Sequence, residues 1–169
     1  WDKIPTLKPV FRKDGTITAA NASKLNDGAT SLILASEEAV KAHNLKPLAR
    51  IVSFADAARE PEWFTIAPAD AMPKALKKAG LSINDIDIVE INEAFAVVVL
   101  ANLQIMGIPM EKTNILGGAI SLGHPLGSSG ARVIVTMLTA LRKTNGKYGM
   151  AAVCNGGGGA SALIIERLS

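Results

Sequence analysis

Apolar positions recur along this chain with two different periods. Between Pro68 and Ala79 they fall at Ala69, Met72, Leu76 and Ala79, one face of a helix, and Gly80 follows as a natural stop. Pro73 lies inside that run and fits best near the first turn, where a missing N–H costs least. Ala131–Lys143 repeats the helical spacing with Val133, Met137, Ala140 and Leu141, and Ser128 and Ser129 precede it as candidate N-caps. Ala94–Met106 is apolar all round, which predicts a helix buried on every side. Ser36-Glu37-Glu38 opens a short helix through His43, and Ser82 to Asp85 predicts a capping turn.

Other runs read as strands. They are 29–35, 48–56, 86–91, 148–154 and 160–166, each short, apolar or alternating, and bounded by turn residues. Residues 1–24 are irregular, with Pro5, Pro9 and a hairpin-like turn at Lys13-Asp14-Gly15. Strands alternating with helices predict an α/β layered fold with a mixed five-stranded sheet flanked by helices. No internal repeat interrupts that order.

Composition narrows the picture. The chain has 169 residues, 49% hydrophobic and 4% aromatic, so its core is built from Ala, Val, Ile and Leu. A chain of this size buries about 70% of its unfolded surface. The net charge of +3 suits a mildly anionic small ligand and is too diffuse for nucleic acid. One cysteine, Cys154, excludes an internal disulfide, and His43, His124 and Cys154 have no metal-ligand spacing. No membrane-spanning run and no signal peptide is visible, which implies a soluble intracellular location: cytoplasm, mitochondrion or peroxisome. The first residue is Trp1 rather than Met, so a processed chain or a piece of something longer is expected.

Three places share one layout, a strand end followed by polar chemistry. They are Asn92-Glu93-Ala94-Phe95, Gly123-His124-Pro125 and Cys154-Asn155 with Gly156–Gly159. Sites in open α/β sheets collect outside strand carboxyl ends. Cys, His and Asn gathered there suit carbon–carbon chemistry at a thioester. The thiol moves a proton at carbon, His and Asn donate to an enolate oxygen, and the glycine loop leaves N–H groups free for an oxyanion. Taken singly, each has a plainer meaning: a core thiol, a turn asparagine, a loose hairpin.

Together the blocks Asn-Glu-Ala-Phe (92–95), Gly-Gly-Ala-Ile-Ser-Leu-Gly-His-Pro (117–125) with Gly-Ser-Ser-Gly-Ala-Arg (127–132), and Cys-Asn-Gly-Gly-Gly-Gly-Ala-Ser (154–161) resemble the C-terminal signatures of thiolases. The last block resembles the acetoacetyl-CoA branch of that family. Ala-Ala-Asn-Ala-Ser (19–23) and Asn-Asp-Gly-Ala (26–29) extend the resemblance over nearly the whole chain. Leu116 departs from it, since many members carry Asn there.

The resemblance implies condensation of two acetyl-CoA to acetoacetyl-CoA, and the reverse. It implies Cys154 as acid/base, and His124 as activator of an acyl-carrying cysteine and donor to a thioester oxygen. Asn92 would hold a water in that oxyanion hole, and the Gly156 N–H would serve a second one. Ser23 would contact the pantetheine arm, with Phe64 and Phe95 lining the reacting end. The carbonyls of Ala19, Ala20, Ala22 and Ile120 would hold K⁺; no other cofactor is implied. Residues 1–24 would end a CoA-covering loop region, 25–47 would complete an N-terminal domain, and 48–169 would be the C-terminal domain. Thiolases use two cysteines, and this chain has only the one matching the acid/base. The resemblance therefore implies that the N-terminal half is missing, that the chain alone is inactive, and that the parent is a dimer or tetramer with no nucleic-acid or membrane partner. The main alternative is a non-catalytic module that binds CoA thioesters or an assembly partner. A ketoacyl synthase is weaker, because that family usually has a second His where Asn92 stands.

Overall fold

The structure, a computed structural model, describes residues 1–168. Its strands are β1 (Ala49–Ala58), β2 (Ile88–Ile91), β3 (Tyr148–Cys154) and β4 (Gly159–Arg167). They form one sheet in the order β1-β4-β3-β2. β4 pairs antiparallel with β1 and β3, while β2 and β3 are parallel. The sheet is mixed, as its pattern predicts, but has four strands rather than five. Residues 29–35 form no strand, and Ile33 and Leu34 are 91% and 77% exposed. An extended run needs a hydrogen-bonding edge beside it, and the described residues offer this one none.

The helices are α1 (Glu37–Ala42), α2 (Pro68–Ala79), α3 (Ala96–Met106), the single turn α4 (Ala119–Leu122) and α5 (Ser129–Thr144). Strand alternation sorts the core into two layers. Val89, Ile91, Met150, Ala152, Ala162 and Ile164 pack with α2 and α3. Ile88, Ala151 and Ile165 pack with Val133, Met137, Ala140 and Leu141 of α5. Gly149 lets α5 sit close, since a Cβ there would stand 2.7 Å from Met137 Cγ.

Three local expectations change. Pro73 lies five residues beyond the first residue of α2, on its exposed side, rather than in the first turn. α3 is not buried all round: Val98, Val99 and Leu103 face the core, while Val97, Leu100 and Ile105 are exposed. Its outer face has no covering element among the described residues. Neither Ser128 nor Ser129 caps α5 with its side chain. Ser128 Oγ pairs with Thr30 Oγ1 at 2.7 Å, and Ser129 Oγ turns toward His124.

The parallel pairing of β2 and β3 is what builds the site. Ile91 is level with Ala152, so Asn92 and Cys154 leave the sheet at the same edge.

Candidate active site

Three turns converge on that edge. The first follows β2. Asn92 is 1% exposed, and its N–H donates to the Ala152 carbonyl at 3.0 Å. Glu93 turns into the glycine loop. Its Oε2 accepts from the Ile120 N–H at 3.0 Å, and its Oε1 accepts from Asn114 Nδ2 at 3.1 Å. Gly118 lies against the same carboxylate, where any Cβ would collide with it. One carboxylate thus anchors the loop that carries His124.

The second turn presents His124 at the end of α4. Its N–H donates to the Lys24 carbonyl at 2.8 Å, which ties the loop to the N-terminal segment. Nδ1 lies 2.6 Å from Ser129 Oγ, and Nε2 lies 3.4 Å from Asn92 Nδ2. Burial, reinforced by the positive charge of Arg132, holds the imidazole pKa below the ordinary histidine value. At neutral pH the ring is a neutral base.

The third turn joins β3 to β4. Cys154 ends β3 half-buried, and burial raises its thiol pKa. At rest it holds its proton. Four glycines were expected to leave several N–H groups free, but the loop uses most of its own. Gly157 and Gly159 donate to Asn155 Oδ1, Gly158 donates to the Asn155 carbonyl, and Asn155 donates to the Gly159 carbonyl. The Gly156 N–H bonds to none of the described residues.

The turns surround a cavity of about 970 Å³ lined by His124, Cys154, Gly156, Ser23, Phe64 and Phe95, among others. Ser23 reaches it because residues 21–23 bridge onto 94–96: Ser23 N–H donates to the Ala94 carbonyl, and Ala96 N–H to the Asn21 carbonyl. Phe95 is braced edge-on by Phe11, with centroids 5.5 Å apart. Asn92 alone of the expected catalytic groups is set behind the wall, against His124. Among the described residues no cluster of His, Cys, Asp and Glu could hold a metal through side chains, and no helix is long and apolar enough to cross a membrane.

Sequence reasoning missed four residues here. Ser129 touches the histidine, Arg132 Nη2 donates to Asn92 Oδ1 at 3.4 Å, Glu93 anchors the loop, and Glu90 is buried next door. Glu90 had a readable signal, a carboxylate inside the apolar run Ile-Val-Glu-Ile. Burial lifts its pKa to about 8, with Arg132 opposing the rise and Glu93 adding to it. A stability effect follows. Between its ordinary range and about 8, the folded chain keeps a proton that the unfolded chain releases. This stabilising term is full at acid pH and is lost as pH rises through that window. Glu90→Gln cannot ionise, so its melting temperature should fall less than that of the unaltered protein from about pH 5 to about pH 9. Parallel falls in a thermal melt would contradict the assignment.

The geometry has counterparts. A family model described as thiolase, C-terminal domain, matches residues 45–167, and the thiolase N-terminal domain model matches 1–38. A probable acetyl-CoA acetyltransferase of Dictyostelium discoideum is 58% identical over 99% of this chain and 41% of its own length. The mitochondrial acetyl-CoA acetyltransferase of Mus musculus is 59% identical over 99% of the chain and 39% of its own. The crystal structure of human mitochondrial 3-ketoacyl-CoA thiolase in complex with CoA superposes with a TM-score of 0.96 at 49% identity, covering 99% of this chain and 42% of that one. The chain thus spans about two fifths of the length of the relatives it matches. Matched along nearly its whole length in sequence and in fold, the chain belongs to the thiolase family.

Proposed function

We propose that this chain is the part of an acetyl-CoA C-acetyltransferase that supplies the acid/base thiol and the oxyanion-binding groups. The observation that carries the reading is convergence: Cys154, His124 and the unbonded Gly156 N–H, from separate turns, line one cavity with Ser23, Phe64 and Phe95. The relatives named as acetyl-CoA acetyltransferases support the substrate class.

The directions of two pKa shifts support the proposed division of proton traffic. Burial keeps His124 neutral, as a base must be, and keeps Cys154 protonated, as an acid must be. Neutral His124 accepts the proton of an acyl-carrying cysteine, which lies outside this chain's single-cysteine sequence. That thiolate attacks the acetyl-CoA carbonyl, and the C–S bond to CoA breaks. Cys154 gives its proton to the departing CoA sulfur and becomes a thiolate. In the second half-reaction it takes a proton from the methyl carbon of another acetyl-CoA. His124 steadies the enolate oxygen, with Asn92 acting through a water on its amide. The carbon attacks the acyl-cysteine carbonyl, whose oxygen is received by the Gly156 N–H. The acyl-carrying sulfur leaves and takes back the proton held by His124, and acetoacetyl-CoA is released.

We extend the proposal to K⁺ as an aid to CoA binding. What supports it is that the carbonyls of Ala19, Ala20, Ala22 and Ile120 accept no hydrogen bond from the described residues. Assaying the full-length protein with acetyl-CoA tests both readings. Acetoacetyl-CoA and free CoA should form, more slowly when Na⁺ replaces K⁺, and residues 1–169 alone should give no product. Absence of turnover by the full-length protein in both directions would overturn the enzyme reading. Indifference to the cation would remove K⁺ from it.

A further inference from the structure

Arg132, the fourth residue of α5, reaches back beneath the site. Its Nη2 donates to Asn92 Oδ1 at 3.4 Å, and its Nη1 to Thr136 Oγ1 at 3.5 Å. A guanidinium has donors and no acceptor. It therefore selects the end of the Asn92 amide that faces it, the oxygen. The amide nitrogen is left facing His124 Nε2 at 3.4 Å. That nitrogen can only donate, so Nε2 must accept, and the proton of the neutral ring must sit on Nδ1. Ser129 Oγ, 2.6 Å from Nδ1, can receive it, because its own proton has the Pro125 carbonyl at 3.2 Å. Every link then sets a donor against an acceptor. With the amide reversed, two donors would meet at Arg132 and the contact would hold no acceptor, at the full cost of a mispaired buried polar group.

We propose that Arg132 is a positioning residue that, through the Asn92 amide, fixes His124 in the tautomer whose lone pair is on Nε2. The charge of Arg132 also opposes protonation of that ring, so one residue keeps the base both neutral and correctly oriented. The proposal rests on the reading of His124 as a base.

The test uses the full-length protein labelled with ¹⁵N-histidine, its two-bond ¹H–¹⁵N spectra reporting the tautomer. His124 is assigned by the signal lost in His124→Asn. The unaltered protein should show an unprotonated Nε2. Arg132→Met should show a mixture of tautomers and a raised His124 pKa. Arg132→Lys, whose ammonium also only donates, should restore the single tautomer. Arg132→Met should also lower kcat for condensation roughly ten- to a hundredfold, the size of effect seen when the outer hydrogen-bond partner of a metal-bound histidine is lost. Its KM for acetyl-CoA should stay within about twofold. Asn92→Leu breaks the relay with Arg132 in place and should likewise mix the tautomers; it carries the test if Arg132→Met does not fold. A single, unshifted tautomer in Arg132→Met or in Asn92→Leu would overturn the proposal. Mixed tautomers in a protein without transferase activity would instead overturn the functional reading and leave this one standing.

Discussion

Cys154→Ala in the full-length protein is expected to stop condensation while leaving acyl transfer from acetyl-CoA in place. The reason is where the proton has to come from. In the second half-reaction a methyl carbon must lose a proton, and Cys154 is the thiol at the cavity wall with its proton held by burial. Removing a positioned acid or base costs about 10²–10⁴-fold in rate. The first half-reaction needs Cys154 only to protonate departing CoA, whose thiolate can leave unaided, so acylation should slow without stopping. Steady-state condensation measured beside single-turnover release of CoA separates the two. Equal loss of both would show that Cys154 does something else.

His124→Ala should depress both half-reactions. In the proposed mechanism His124 is the neutral base for acylation and, once it holds the cysteine's proton, the donor at the enolate oxygen. An oxyanion donor alone is worth about 2.7–4 kcal/mol, on the order of a hundred- to a thousandfold. Loss of the base comes on top, though not as a simple product, because groups that act as a unit are not additive. The pH profile carries the same information with a sign. Burial and Arg132 lower the imidazole pKa, so the neutral, competent ring persists to lower pH than an ordinary histidine allows. Acylation should therefore begin to fall only below the usual histidine range as pH drops. A profile that falls already at or above that range would contradict the burial argument.

The sequence carried the elements whose signal is local. α2 shows its face in Ala69, Met72 and Leu76, and Gly80 ends it with φ 66, the left-handed stop that glycine permits. The turn at Ser82 has the reciprocal bonds that its spacing predicts, with Asp85 reaching back to the Ser82 N–H at 2.8 Å. What was not legible depends on partners far along the chain. Residues 29–35 have strand chemistry and no strand, because pairing is a property of two segments. The outer face of α3 is as apolar as its inner face, so periodicity alone could not say which side the sheet would cover.

The site divides the same way. His124, Cys154 and Asn92 were readable because each follows a strand-like run or sits in a glycine turn. Parallel pairing of β2 with β3 then brings two of those turns to one edge. The groups that hold them were not readable. Arg132 and Asn92 are forty residues apart, Glu93 and Ile120 twenty-seven, and no spacing rule joins them. Ser128 and Ser129 looked like caps for α5, and the structure spends their hydroxyls on Thr30 and His124 instead. A short polar side chain bonds whichever partner folding brings, and a helix start written in sequence does not name that partner.

The central claim is that Cys154 moves protons and does not carry the acyl group. Locating the acetyl group tests it most directly: quench the full-length protein with acetyl-CoA, digest it, and find the acetylated cysteine by peptide mass spectrometry. The expected result is an acetyl group on a cysteine outside residues 1–169, in the unaltered protein and in Cys154→Ala alike. An acetyl group on Cys154, or no adduct once Cys154 is gone, would contradict the account.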